Sequence, residues 1–123
     1  MRRVLELRAK LNDAIRRFFR YCRFLEGEPP VLLPANAPAA HTAAIPAGTG
    51  WIRTSPELAM KRLLAAGQTR IFQLGPVARE GEHGRWHHPE FCLLEWYRAE
   101  AGYLDMLADT KALLSFLAVE LRG

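Results

Sequence analysis

The chain has 123 residues, half of them hydrophobic and 24% charged, which fits one globular domain and excludes both a disordered tail and two full domains. No apolar run reaches the roughly 20 residues of a membrane span, and the start Met1-Arg2-Arg3-Val4 is unlike a signal peptide, so a cytoplasmic protein with no membrane partner is expected. Two cysteines, Cys22 and Cys92, are too few for a disulfide scaffold or a four-cysteine zinc site, which agrees with a reducing compartment.

From Val4 to about Leu25, Leu7, Leu11, Ile15, Phe18 and Cys22 recur every three or four residues, the stripe of an amphipathic helix. Its other side is basic. Residues 1–23 hold eight arginines and lysines against Glu6 and Asp13, a net of +6 in a chain whose total is +4, so the remainder carries −2. Such a helix can meet RNA, an acidic protein or a membrane surface, or be a solvated face. Gly27, Pro29 and Pro30 end it. Residues 29–50 contain five of the eight prolines and no charge, and read as an extended loop with one short strand around Val31–Leu33.

Trp51 to Thr54 reads as a short strand. Ser55-Pro56-Glu57 is a helix start, with a hydroxyl cap, proline in the first turn and an acid behind it. That helix runs to about Ala66, where Gly67 stops it. Arg70–Arg79 and Phe91–Arg98 read as strands joined by a loop of about 11 residues, which suits an antiparallel pair and is short for a crossover helix. A closing helix over 103–121 is expected to turn Leu104, Leu107, Leu114 and Leu117 inward. The class is α+β, a mostly antiparallel sheet flanked by helices, in a single domain over 1–123.

Within Phe91–Tyr97, strand alternation places Phe91, Leu93, Glu95 and Tyr97 on one face and Cys92, Leu94 and Trp96 on the other. A carboxylate and a phenol in so apolar a strand call for polar partners, for a ligand such as an ammonium group, or for a face open to water. The loop before it carries Arg79, Glu80, Glu82, His83, Arg85, His87 and His88. These residues suit a solvated hairpin tip, an anion pocket built on guanidinium forks, or, least well by spacing, a metal site.

The run Arg79-Glu-Gly-Glu-His-Gly-Arg-Trp-His-His-Pro-Glu-Phe-Cys-Leu-Leu-Glu-Trp-Tyr-Arg98 resembles motif 2 of class II lysyl-tRNA synthetases, and most of all that of their elongation factor P lysyltransferase branch. Thr54-Ser-Pro-Glu-Leu-Ala-Met-Lys-Arg-Leu-Leu-Ala-Ala-Gly67 is similar to the family's Thr-Ser-Pro-Glu helix, and Phe24-Leu-Glu-Gly-Glu-Pro-Pro30 looks like a worn motif 1. Three blocks in the right order cover most of residues 5–110, with motif 1 near 24–30 and motif 2 near 77–98. The resemblance implies a partial class II synthetase fold and a ligase that joins lysine and ATP to lysyl-adenylate, then passes lysine to tRNA or to elongation factor P. It implies Arg79 on the α-phosphate as the catalytic residue, Glu82 and His87 with Arg79 around ATP, and Phe91 stacked on adenine. Glu57, Glu95 and Tyr97 would take the amino groups of lysine. Mg²⁺ would come with ATP, and the histidines would hold no metal.

Several positions depart from the family pattern. Gly81 stands at a glutamate, Ala78 at a phenylalanine, Glu80 and His88 at asparagines, and Pro29 at a threonine. Motif 3 is not found before Gly123, so the expectation is impaired activity, with a non-catalytic binding or dimerisation module as the alternative. Catalytic motifs that begin near residue 24, with no anticodon-binding domain before them, favour the protein-modifying branch. A half-sheet with open edges and an uncovered apolar face also predicts a homodimer or higher oligomer.

Overall fold

The amphipathic stripe forms helix α1, Arg2–Tyr21, in a computed structural model that describes residues 1–36, 39 and 42–122. Its end is sharp because Arg23 takes a left-handed backbone (φ +62°) and the Arg70 guanidinium donates to the Cys22 carbonyl at 3.1 Å. After it come β1 (Leu25–Glu26), β2 (Leu32–Leu33), β3 (Pro46–Ala47), β4 (Gly50–Ile52), α2 (Glu57–Ala65), β5 (Arg70–Ala78), β6 (Glu90–Arg98) and α3 (Tyr103–Arg122).

The two long strands pair antiparallel over their whole length, from Arg70 opposite Arg98 to Ala78 opposite Glu90. β1 joins the other edge of β5 in parallel, giving the order β1-β5-β6. The expectation of a mostly antiparallel sheet therefore holds, with one parallel pair. Among the described residues, 29–50 hold more than the one strand expected. β2 and β3 flank β4 in a second small antiparallel sheet, while residues 37, 38, 40 and 41 of that stretch lie outside the described residues. β4 can sit this close to β2 because Gly50 has no side chain: a Cβ there would stand 2.6 Å from the Leu33 carbonyl oxygen.

Helices lie on both faces of the main sheet, although β6 stays half-exposed along its length. On one side Ile15, Phe18 and Phe19 of α1, Phe24, Phe72 and Leu113 of α3 form the core, and Leu74, Leu94 and Trp96 pack against it. Phe19 stacks on Phe72 at 4.7 Å and meets Phe24 and Trp96 at 5.2 and 5.5 Å. On the other side lies α2, with Met60 fully buried. Arg53, 2% exposed, ties the two sheets together. It donates to the carbonyls of Pro29 and Pro76 at 2.6 and 3.0 Å, and its last nitrogen reaches the Gln73 amide oxygen at 2.9 Å when that oxygen is turned towards it. Burial pushes the Arg53 pKa below the usual arginine value.

The closing helix forms where it was expected, but its orientation corrects the sequence reading. Leu104, Leu107 and Leu114 are 64%, 44% and 62% exposed, and the inward residue is Leu113, with Phe116 and Leu117 beside it. The helix carries apolar residues on both sides, so periodicity cannot choose between them. Specific contacts do: Phe116 meets Phe18 at 5.6 Å, Glu120 pairs with Arg17 at 2.5 Å, and Asp109 takes Arg98 on both oxygens at 3.1 and 3.2 Å. Among the described residues no helix is long and apolar enough to cross a membrane.

Candidate active site

β6 carries one cluster near its C-terminal end. The Glu95 carboxylate accepts two hydroxyl bonds, from Ser55 at 2.5 Å on Oε1 and from Tyr97 at 2.6 Å on Oε2. Ser55 does two things at once. Its oxygen accepts the Glu57 N–H at 3.0 Å, capping α2, while its proton goes to Glu95. The Thr-Ser-Pro-Glu turn thus fastens the start of α2 to the middle of β6. Glu57 itself pairs with Lys61 one turn on, at 2.5 Å. Burial, the Glu95 bond and the charges of Glu95 and Glu57 all raise the Tyr97 pKa far above its ordinary value, so Tyr97 is a permanent hydroxyl donor. Glu95 has no basic side chain within 4 Å among the described residues, although its charge is felt by Arg53.

A second cluster lies at the other end of β6 and in the loop before it. Arg79, Glu82, Trp86, His87, His88 and Phe91 line a cavity of about 280 Å³. The Arg79 guanidinium lies over the Phe91 ring at 5.0 Å, donates to the Thr54 carbonyl at 3.2 Å and approaches Glu82 at 3.5 Å. The loop folds as a hairpin tip, with Gly84 and His87 bridged and Glu80 bonded to Ala43. Gly81 has φ +75°, a left-handed turn that suits glycine and not the glutamate of the family pattern. Among the described residues no three His, Cys, Asp or Glu side chains gather as a metal-binding group.

The site residues read from the sequence therefore fall into two groups. Glu57, Glu95 and Tyr97 stand together, and so do Arg79, Glu82, His87 and Phe91. Sequence reading missed Ser55 as a site residue, because a hydroxyl before a helix is fully explained as a cap. It also passed over Trp86, and it weighed His88 among the polar loop residues without placing it at the ATP group; both line the second cavity. A polar Arg53-Thr54-Ser55 run between an apolar strand and a helix was the signal available for the first of these.

The family of class II tRNA synthetases (D, K and N) matches residues 1–123, and the chain belongs to it. An elongation factor P–(R)-beta-lysine ligase of Histophilus somni (strain 2336) is 46% identical over 101 residues, covering 74% of this chain and 31% of that protein. The ligase of the same name from Vibrio cholerae is 39% identical over 123 residues, with 92% and 38% covered. A lysine–tRNA ligase of Actinobacillus pleuropneumoniae serotype 7 is 36% identical over 128 aligned positions, with 99% and 25% covered. The chain spans between a quarter and two fifths of the length of these relatives.

Proposed function

We propose that the chain supplies the amine-gripping and adenosine-gripping wall of a lysine ligase. The observation that carries this reading is Glu95: a half-buried carboxylate, held by two hydroxyls and left without a basic partner among the described residues. Such a group suits an ammonium ligand. Lysine, or the β-lysine in the names of two relatives, brings two ammonium groups and one carboxylate; Ser55 links Glu95 to the Glu57 backbone N–H, and the Glu57 carboxylate, paired with Lys61, would have to release that partner to take the second ammonium group.

In this reading ATP sits on the second cluster, with Phe91 under adenine, Arg79 on the α-phosphate, and Glu82 and His87 around them. The substrate carboxylate oxygen attacks the α-phosphorus, the bond to the β,γ-diphosphate breaks, and pyrophosphate leaves. Arg79 takes the charge that builds on the α-phosphoryl oxygens. The acceptor, a tRNA hydroxyl or a lysine amine of elongation factor P, then displaces AMP from the acyl carbon. Glu82 is the one carboxylate lining the Arg79 cavity and already faces Arg79. These residues fit a base and a phosphate better than a bare Mg²⁺, so the ion belongs with the nucleotide. The setting is cytoplasmic and the assembly a homodimer or higher oligomer, the apolar outer faces of α1 and α3 supporting the latter.

Lysine-dependent exchange of pyrophosphate into ATP tests this. Exchange with lysine or β-lysine, and none with leucine, is expected. No exchange at saturating ATP and amine overturns catalysis by this chain. Gly81, where the family pattern has a glutamate, favours a second reading, a binding module that holds the ligands without joining them. Lysine binding by calorimetry with no exchange is its signature.

A further inference from the structure

Arg53 is a buried cation that the proposed chemistry does not use. It is 2% exposed, and Gln73 beside it is 4% exposed. Burying a charge is costly unless its donors find acceptors. The backbone carbonyls of Pro29 and Pro76 take two of its nitrogens, and the third reaches the Gln73 amide oxygen at 2.9 Å. That oxygen also accepts the Gly75 N–H at 3.0 Å, and the amide nitrogen then faces acceptors only. Arg53 thereby decides which way the Gln73 amide points.

The pair lies next to Glu95. Gln73 stands directly opposite Glu95 in the β5–β6 ladder, so the two side chains leave the same face as cross-strand neighbours. Glu95 accepts one hydroxyl on each oxygen, and a carboxylate has room for further donors. Gly75 makes the space for this arrangement. Its backbone is not left-handed, so conformation alone does not demand glycine. A Cβ there would stand 2.3 Å from the end of the Gln73 side chain and 3.3 Å from Arg53 Nη2. We propose that Arg53 and Gln73 are positioning residues for Glu95: Arg53 sets the Gln73 amide so that its nitrogen is presented to the carboxylate and fixes it for an ammonium ligand. With its donors committed to carbonyl oxygens, Arg53 brings positive charge near Glu95 without filling the ligand's place. Burial lowers the Arg53 pKa and the Glu95 charge raises it, so each charge lies in the other's field. The proposal rests on Glu95 as the amine site and adds what holds it there.

Nitrogen-15 NMR of the ligand-free chain reads the geometry. One Gln73 side-chain amide proton should lie downfield, bonded to a charged acceptor, and shift back in Glu95→Gln and in Arg53→Lys. Arg53→Lys keeps the charge and loses the fork that sets the amide. Calorimetry with lysine in the presence of ATP reads the consequence. Gln73→Met should raise the lysine dissociation constant about fivefold or more, and Arg53→Lys should raise it in the same way. In a Glu95→Gln background neither change should add more than about twofold, because both act through Glu95. A purely structural role would cost the same factor in both backgrounds. Gln73→Met takes an acceptor from Arg53 and from Gly75, so Arg53→Lys decides the matter if that variant does not fold. A Gln73 amide at its ordinary position in the wild type, or losses that add in full to Glu95→Gln, overturn the positioning role alone. A wild type that binds lysine no more tightly than Glu95→Gln overturns the amine site and this role with it.

Discussion

Glu95→Gln separates a binding carboxylate from a structural one. The glutamine has the same shape, and it loses the charge. In the folded chain Glu95 accepts from Ser55 and Tyr97, both hydroxyls, and hydroxyls can turn to accept from an amide as well as donate to its oxygen. One of the two bonds changes direction and neither has to be abandoned, so stability should move by no more than about 1 kcal/mol. Ligand binding should respond much more. A hydrogen bond between an ammonium and a carboxylate is worth about 1.5–3 kcal/mol, which is roughly a 10- to 150-fold rise in the dissociation constant of lysine. Calorimetric titration with lysine in the presence of ATP, beside urea unfolding of both proteins, reads the two effects separately. A change in lysine affinity below about threefold, or a stability loss above about 2 kcal/mol that parallels the binding loss, refutes the assignment of Glu95 to the substrate.

Two further outcomes follow from the fold. Tyr97 has its pKa raised from an ordinary 10, chiefly by burial, so the folded state holds its proton where the unfolded chain releases it. Its contribution to stability is complete below pH 10 and is lost as pH rises beyond that. Urea midpoints of wild type should fall more steeply above pH 10 than those of Tyr97→Phe; parallel curves would contradict this. Gly50→Ala drives a Cβ against the Leu33 carbonyl and must part β2 from β4, at a cost of about 1–3 kcal/mol. An unchanged urea midpoint would show that the small sheet yields freely.

Local signals carried most of the fold. The α1 stripe, the Ser55-Pro56-Glu57 start, the Gly67 stop and the alternation in Phe91–Tyr97 are each a short-range pattern with one dominant physical cause, and each element formed within a few residues of its expected place. The strand alternation also put Phe91, Glu95 and Tyr97 on one face. Elements with little local signal were missed. β1 and β3 are two-residue strands that exist because β5 and β4 are there to pair with them. The rotation of α3 was unreadable for a related reason: two apolar stripes compete, and Arg17, Arg98 and Phe18, distant in sequence, decide which one turns inward.

The same distinction explains how the two clusters come to lie on one strand. Phe91 and Glu95 are four residues apart, about 13 Å along β6, on the face that alternation assigns them. Neither is held by β6 alone. Thr54 gives its carbonyl to Arg79, which lies over Phe91, and the next residue, Ser55, gives its hydroxyl to Glu95. Two consecutive residues of the turn before α2 thus fix both ends of the proposed site. Arg53, buried beside them and bonded to Pro29 and Pro76, keeps that turn from sliding along the sheet. The spacing between the proposed amine site and the proposed phosphate site is then a property of the turn as much as of the strand. A substitution that moved residues 53–55 would displace both clusters together, so the polar run between β4 and α2 is more than a helix cap: it ties the Arg79 and Glu95 clusters to one turn.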